Sequence, residues 1–194
     1  MKNKSLLYIH GLASSGASST VENLVMFLPD IKIVAPDLPI NPQNALSLLH
    51  DICRTELPDI IIGTSMGGMF AQQMRGYKKI LVNPAFHVSG FMRKNIGTHI
   101  FFNPRKDGNQ NFEITESLCD AYESIEKYQF ENIDEQEKQK TWALFGTDDT
   151  LVNCQEEYLA YYDQFQLFEG EHRLNKIVIV DNVIPLIQQV INAK

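Results

Sequence analysis

Short, wholly apolar runs alternate along the first part of the chain with stretches in which apolar side chains return at helical spacing. Ser5-Leu6-Leu7-Tyr8-Ile9 reads as a buried strand that stops at His10-Gly11. A helix is expected from Thr20 or Val21, with Leu24, Val25, Phe27 and Leu28 facing the core. Residues 30–35 form a second strand, ended by Pro36-Asp37-Leu38-Pro39, and residues 44–57 carry Leu46, Leu49, Ile52 and Cys53 at helical spacing. Ile60 to Ile62 are apolar in succession, as in the middle of a parallel sheet. Residues 66–74 read as a helix, and residues 78–83 as a strand closed by Pro84. Such alternation predicts an α/β fold, a mainly parallel sheet with helices on both faces. Right-handed crossovers then bring the strand C-termini, with His10 and Ser65, to one edge.

The alternation lapses over residues 84–140. Phe86, Phe91, Met92, Ile96, Ile100, Phe101 and Phe102 are broken by Gly90, Gly97 and Pro104, and an acidic, helix-prone stretch follows over 113–140. An insertion here can arch over the strand edge as a lid, its aromatic residues serving mostly as core and some as walls of a pocket. Residues 131–140 read as a solvated helical face. His87 and His99 lack a carboxylate at ligand spacing and read as structural, and His50 reads as a helix surface residue. Residues 141–146 and 164–168 are the last two strands, and a helix from about Asp181 to Asn192 closes the chain.

Composition narrows the function. At 194 residues, 44% hydrophobic and 21% charged, the chain fits one domain over 1–194 that buries about 70% of its unfolded surface. A net charge of −7, with no basic cluster longer than Arg93-Lys94 or Lys78-Lys79, argues against nucleic acid or an anionic membrane as partner. Cys53, Cys119 and Cys154 are odd in number and widely spaced, so reduced thiols are expected rather than a disulfide framework or a metal site. Met1-Lys2-Asn3-Lys4 leads at once into the short apolar run Leu6 to Ile9, too brief for a secretory segment or a membrane span. A cytoplasmic location is the expectation.

The candidate chemistry centres on Gly63-Thr64-Ser65-Met66-Gly67. A buried strand running into this pentapeptide puts serine on a sharp strand-to-helix elbow, its hydroxyl exposed and its backbone beside a helix N-terminus. A dinucleotide fingerprint fits poorly, because Ser65 stands where the second glycine would be, and no phosphate-loop Gly-Lys-Ser/Thr follows. A strand ending in His10-Gly11 lets the next amide point above the sheet, so the backbone N–H groups of Leu12 and Met66 are the candidate oxyanion hole. The serine-rich loop 12–20 also reads as a cap for the helix behind it, and the two readings are compatible.

Two later strands end in Gly146-Thr147-Asp148-Asp149 and Gly170-Glu171-His172. The chain order serine, aspartate, histidine belongs to one known arrangement of a hydrolytic triad. Ser65 needs a base because its hydroxyl is protonated at neutral pH; His172 supplies one, and a carboxylate holds the imidazole in the right tautomer. Asp149 is preferred for that last role, since the spacing from Gly146 to Val152 turns its carboxylate to the cleft; Asp148 is the competitor.

With these four motifs the chain resembles the α/β-hydrolase superfamily over nearly its whole length. It is more closely similar to the small bacterial YqiA/YcfP-type esterases. The points of likeness are Tyr8-Ile9-His10-Gly11 with Ser14-Ser15, Asn83-Pro84-Ala85, Asn103-Pro104, and Glu169-Gly170-Glu171-His172-Arg173. The resemblance implies a carboxylesterase acting on a small-molecule acyl ester, or a thioester, with no cofactor. The fold leaves the acyl group open, so another acyl hydrolase on the same triad is the first alternative. A catalytically idle hydrolase fold used for binding is the second, expected where one triad residue is replaced; all three residue types are present here.

Overall fold

A computed structural model describes residues 4–193, so the reading of the polar opening Met1-Lys2-Asn3 lies outside the described residues. The elements follow in chain order as β1 (Lys4–Ile9), α1 (Ser19–Phe27), β2 (Ile31–Val34), α2 (Pro42–Glu56), β3 (Ile60–Thr64), α3 (Met66–Gln73) and β4 (Lys79–Val82). Then come α4 (Val88–Arg93), β5 (Gly97–Ile100), β6 (Asn111–Ile114), α5 (Glu116–Glu126), α6 (Glu135–Gln139), β7 (Thr141–Gly146), α7 (Gln155–Leu159) and β8 (Gln164–Phe168). The chain closes with α8 (Lys176–Val178), a π-helical stretch Ile179–Val183, and α9 (Ile184–Asn192). Among the described residues no helix is long and apolar enough to cross a membrane.

Among the described residues six strands form one sheet in the order β2-β1-β3-β4-β7-β8, every neighbouring pair parallel. Successive strand residues point to opposite faces. Leu7, Ile9, Ile61, Leu81, Ala143 and Phe145 therefore join one core with α2, α3 and α5, while Leu6, Tyr8, Ile60, Ile62, Ile80 and Val82 join another with α1, α8 and α9. Helices cover both faces, as expected. The strand order reverses about β1, which has β2 on one side and β3 on the other. Beyond the carboxyl ends at such a switch point lies the crevice where open α/β sheets take ligands.

Several local expectations need correction. In α1 only Leu24 is buried; Val25 is 54% exposed, because a nine-residue helix offers one stripe to the sheet. Over residues 84–140 a separate antiparallel hairpin, β5 with β6, takes up Glu113, which was read as helical. Glu137 on α6 is not part of a solvated face. It is buried and paired at 2.6 Å with Lys79 Nζ, itself fully buried. The last helix begins five residues early, where the Asn175 side chain accepts the Val178 N–H and caps α8. Its π-helical stretch ends at Val183, two residues before Pro185, which has no N–H to give to a regular helix.

Candidate active site

Ser65 occupies the turn between β3 and α3 with φ 55° and ψ −122°, a left-handed φ that side chains rarely hold. The glycines on either side make the turn sterically possible. A Cβ on Gly63 would lie 2.0 Å from the carbonyl oxygen of Gly67, and one on Gly67 would lie 2.0 Å from that of Ile9. Three backbone bonds then pin the turn. The Ser65 N–H donates to Val82 O (3.0 Å), and Ser65 O accepts from Gly68 N (2.8 Å) and Ala85 N (3.0 Å). Strain is thus held by the surrounding strand ends.

His172 and Asp149 arrive from two other loops. Ser65 Oγ lies 2.9 Å from His172 Nε2, and His172 Nδ1 lies 2.7 Å from Asp149 Oδ2. With the imidazole neutral, Nδ1–H donates to the carboxylate and the serine hydroxyl donates to Nε2. Asp149 is aimed by its own loop: Oδ1 accepts the amides of Leu151 (2.9 Å) and Val152 (3.0 Å), which leaves Oδ2 for the histidine. Its side chain is only 5% exposed and that of His172 14%. Asp148 stays exposed, its Oδ2 3.4 Å from Thr147 Oγ1, and does not reach the histidine.

The β7 and β8 loops can meet because Gly146 has no side chain; a Cβ there would lie 2.4 Å from Gly170 O. The amides of Thr147 and Asp148 then donate to Phe168 O (2.9 Å) and Gly170 O (3.0 Å).

Leu12 follows β1 in a turn in which Ser14 N donates to Gly11 O (3.2 Å) and Ala13 has φ 60°. The Leu12 amide has no acceptor among the described residues, and Met66, as the first residue of α3, has no intrahelical one. The serines of this loop cap nothing: Ser18 makes no side-chain cap bond to α1. Ser14 and Ser15 bind the loop after β5 instead. Ser14 Oγ donates to Asn103 Oδ1 (3.1 Å), Ser15 Oγ to Pro104 O (2.7 Å), and Phe102 N to Ala13 O (2.8 Å).

Two side chains, Asp37 and His10, anchor this loop. Asp37 accepts Gly16 N (2.8 Å) and Lys106 N (2.6 Å), tying three loops together. His10 is 2% exposed; its Nε2 accepts Leu38 N (3.0 Å) and its Nδ1 donates to Gly11 O (2.8 Å). Burial pushes the His10 pKa below its ordinary value, against the opposing pull of the Gly11 carbonyl. The ring is neutral, as its acceptor role requires.

The other histidines lie elsewhere. His50 is exposed on α2, and His99 Nε2 faces Asn95 O (2.7 Å). His87 does have a carboxylate: Glu157 lies 2.8 Å from its Nε2, a partner 70 residues away that no local spacing could reveal. Among the described residues no group of three or more His, Cys, Asp or Glu is gathered to hold a metal ion.

Comparison with solved structures gives the same architecture. Est1E from Butyrivibrio proteoclasticus superposes with a TM-score of 0.67 at 14% identity, over 99% of this chain and 90% of that one. A metagenome-derived lipolytic enzyme from the LipS and LipT study gives 0.67 at 13% identity, over 96% and 94%. Mouse alpha/beta hydrolase domain-containing protein 10 gives 0.63 at 13% identity, over 98% and 92%. The fold is that of the α/β-hydrolases. Residues 5–188 match the model of a family described as Uncharacterised protein family (UPF0227), and the chain belongs to that family.

Proposed function

We propose that the protein is a serine hydrolase, a carboxylesterase that cleaves short acyl esters through an acyl-enzyme intermediate. The observation that carries this reading is the unbroken hydrogen-bonded path from Ser65 Oγ through His172 to Asp149, at 2.9 and 2.7 Å. In this reading Ser65 Oγ bonds to the ester carbonyl carbon while its proton passes to His172 Nε2. Asp149 stabilises the resulting imidazolium. The negative charge that develops on the carbonyl oxygen faces the amides of Leu12 and Met66, whose preorganised dipoles are each worth roughly 10² to 10³-fold in rate. The carbon–oxygen bond of the ester then breaks, and the leaving alkoxide takes the proton from His172. A water molecule repeats the sequence on the acyl-enzyme, releasing the carboxylic acid and restoring Ser65.

Residues 84–140 serve in this proposal as a lid, joined to the Leu12 loop through Phe102, Asn103 and Pro104. The lipolytic activity named for a structural neighbour agrees with an ester as substrate.

Mass spectrometry after incubation with a small fluorophosphonate, beside Ser65→Ala, tests the reading. The expected result is one adduct on Ser65, absent from the variant. Hydrolysis of p-nitrophenyl acetate should fall by as much as about 10⁶-fold in Ser65→Ala with folding intact. Near-normal turnover in that variant would remove Ser65 from the mechanism.

A further inference from the structure

The turn that closes β4, Asn83-Pro84-Ala85, contributes no side chain to the path from Ser65 to Asp149, yet it is bonded to every strand end that carries that path. Asn83 is 3% exposed and has φ 43°, in the left-handed region that asparagine enters more readily than most side chains. Its carboxamide is fully engaged. Oδ1 accepts Gly146 N (2.8 Å), and Nδ2 donates to the carbonyl oxygens of Glu171 (3.1 Å) and His172 (3.2 Å). These partners fix the amide's orientation, since a flip would set oxygen against two carbonyls and nitrogen against an N–H. The residues on either side grip the nucleophile: Val82 O accepts Ser65 N, and Ala85 N donates to Ser65 O, both at 3.0 Å.

We propose that Asn83 is a positioning residue, which sets the His172 imidazole in line between Ser65 Oγ and Asp149 by gripping the His172 main chain from the turn that holds Ser65. The proposal rests on the hydrolase reading above. His172 makes its two short bonds from opposite sides of one ring, at 2.9 and 2.7 Å. If the loop slides, rotating the ring can restore one of these bonds only by lengthening the other. Displacements of about 1 Å in such an arrangement cost about 10²-fold in rate. Asn83 never touches the substrate; it acts through His172.

Two substitutions separate the carboxamide from the backbone. Asn83→Gly keeps the left-handed turn and removes the side chain. Asn83→Asp keeps an acceptor for Gly146 N and sets a carboxylate oxygen against the carbonyls of Glu171 and His172. Both are measured beside wild type and Asp149→Asn for p-nitrophenyl acetate turnover and for the rate of Ser65 phosphonylation by a small fluorophosphonate, with circular dichroism to confirm folding.

The folded variants should react about 10²-fold more slowly, the loss falling in kcat with KM unchanged. In the Asp149→Asn background, adding Asn83→Gly should cost much less, because the two residues act on one interaction. The downfield proton resonance of the His172 N–H facing Asp149 should weaken in the Asn83 variants. Phosphonylation at the wild-type rate in either folded variant, or losses that simply multiply with that of Asp149→Asn, would overturn the proposal. If Asn83→Gly does not fold, Asn83→Asp decides by the same readouts. Unlabelled wild-type protein would instead remove the hydrolase reading, and this proposal with it.

Discussion

Replacing Asp149 by asparagine tests the proposed site at the carboxylate oxygen on which the assignment turns. In Asp149→Asn the amides of Leu151 and Val152, 2.9 and 3.0 Å from Oδ1, still require an acceptor. The carboxamide oxygen takes that place, and its NH₂ turns to His172 Nδ1, 2.7 Å from the present Oδ2. Nδ1 must then accept, so the imidazole proton moves to Nε2, the atom that faces Ser65 Oγ at 2.9 Å. A base whose lone pair points away from the serine cannot take its proton.

The expected loss is about 10⁴-fold in kcat, as for a triad carboxylate changed to its amide. At about 1.4 kcal/mol per decade this corresponds to roughly 5 kcal/mol of transition-state stabilisation. Asp148→Asn should leave turnover near wild type, because its carboxylate is exposed and makes no contact with His172. Turnover of p-nitrophenyl acetate near neutral pH, with circular dichroism to confirm equal folding, measures both. Equal losses in the two variants, or a larger loss in Asp148→Asn, would refute the tautomer argument and transfer the role to Asp148.

Two further predictions concern buried charge and protons. Glu137→Gln removes the carboxylate charge beside the fully buried Lys79 Nζ, whose other acceptor is the carbonyl of Gln72, and leaves one oxygen for both Lys79 and the Gly76 amide; it should cost about 3–5 kcal/mol in urea denaturation. Burial already pulls the Lys79 pKa down to about 8 against the opposing effect of Glu137, so loss of the carboxylate should lower it further. The double variant Lys79→Met with Glu137→Leu should recover part of the loss, the Gly76 amide being left without its Glu137 acceptor, and a Glu137→Gln protein as stable as wild type would mean that water reaches the pair. His10 should contribute a pH dependence. Its pKa is lowered in the fold while the unfolded chain takes up a proton near about pH 6.5, so the stability it contributes is full above that pH and declines as pH falls below it. Urea midpoints compared on the two sides of that pH should converge in His10→Gln, and an unchanged acid loss in that variant would assign the titration elsewhere.

The strands were legible where burial on both faces leaves a continuous apolar run. Ile60 to Ile62 and Ile80 to Val82 belong to central strands that alternate between two cores, so every position must be apolar. The hairpin of β5 and β6 has no such signal. Its strands have four residues each, with Thr98 and Glu113 directly paired, and they hold only because Phe101, Phe112 and Ile114 pack onto the neighbouring core. Glu137 was misread for the same kind of reason. A run of charges describes a solvated face locally, and only the fold brings Lys79, 58 residues away, to within 2.6 Å. The early start of the last helix did have a signal, since Asn175 is a good N-cap residue.

The same division between near and distant partners runs through the candidate site. Ser65 could be read because its geometry is local: Gly63 and Gly67 sit two residues on either side of it, and the clearances of 2.0 Å that they provide are consequences of the turn itself. The choice of Asp149 over Asp148 was also local, since the amides that aim Asp149 lie two and three residues further on. What joins the histidine to these is not local. Gly146 lets the β7 and β8 loops meet, and Asn83 reaches across 88 and 89 residues to the carbonyls of Glu171 and His172. A glycine beside a strand end and an asparagine before a proline are ordinary turn residues in a sequence. Their partners become apparent only when β4, β7 and β8 lie side by side, and those partners, in the proposal made above, set the separation between His172 and Ser65.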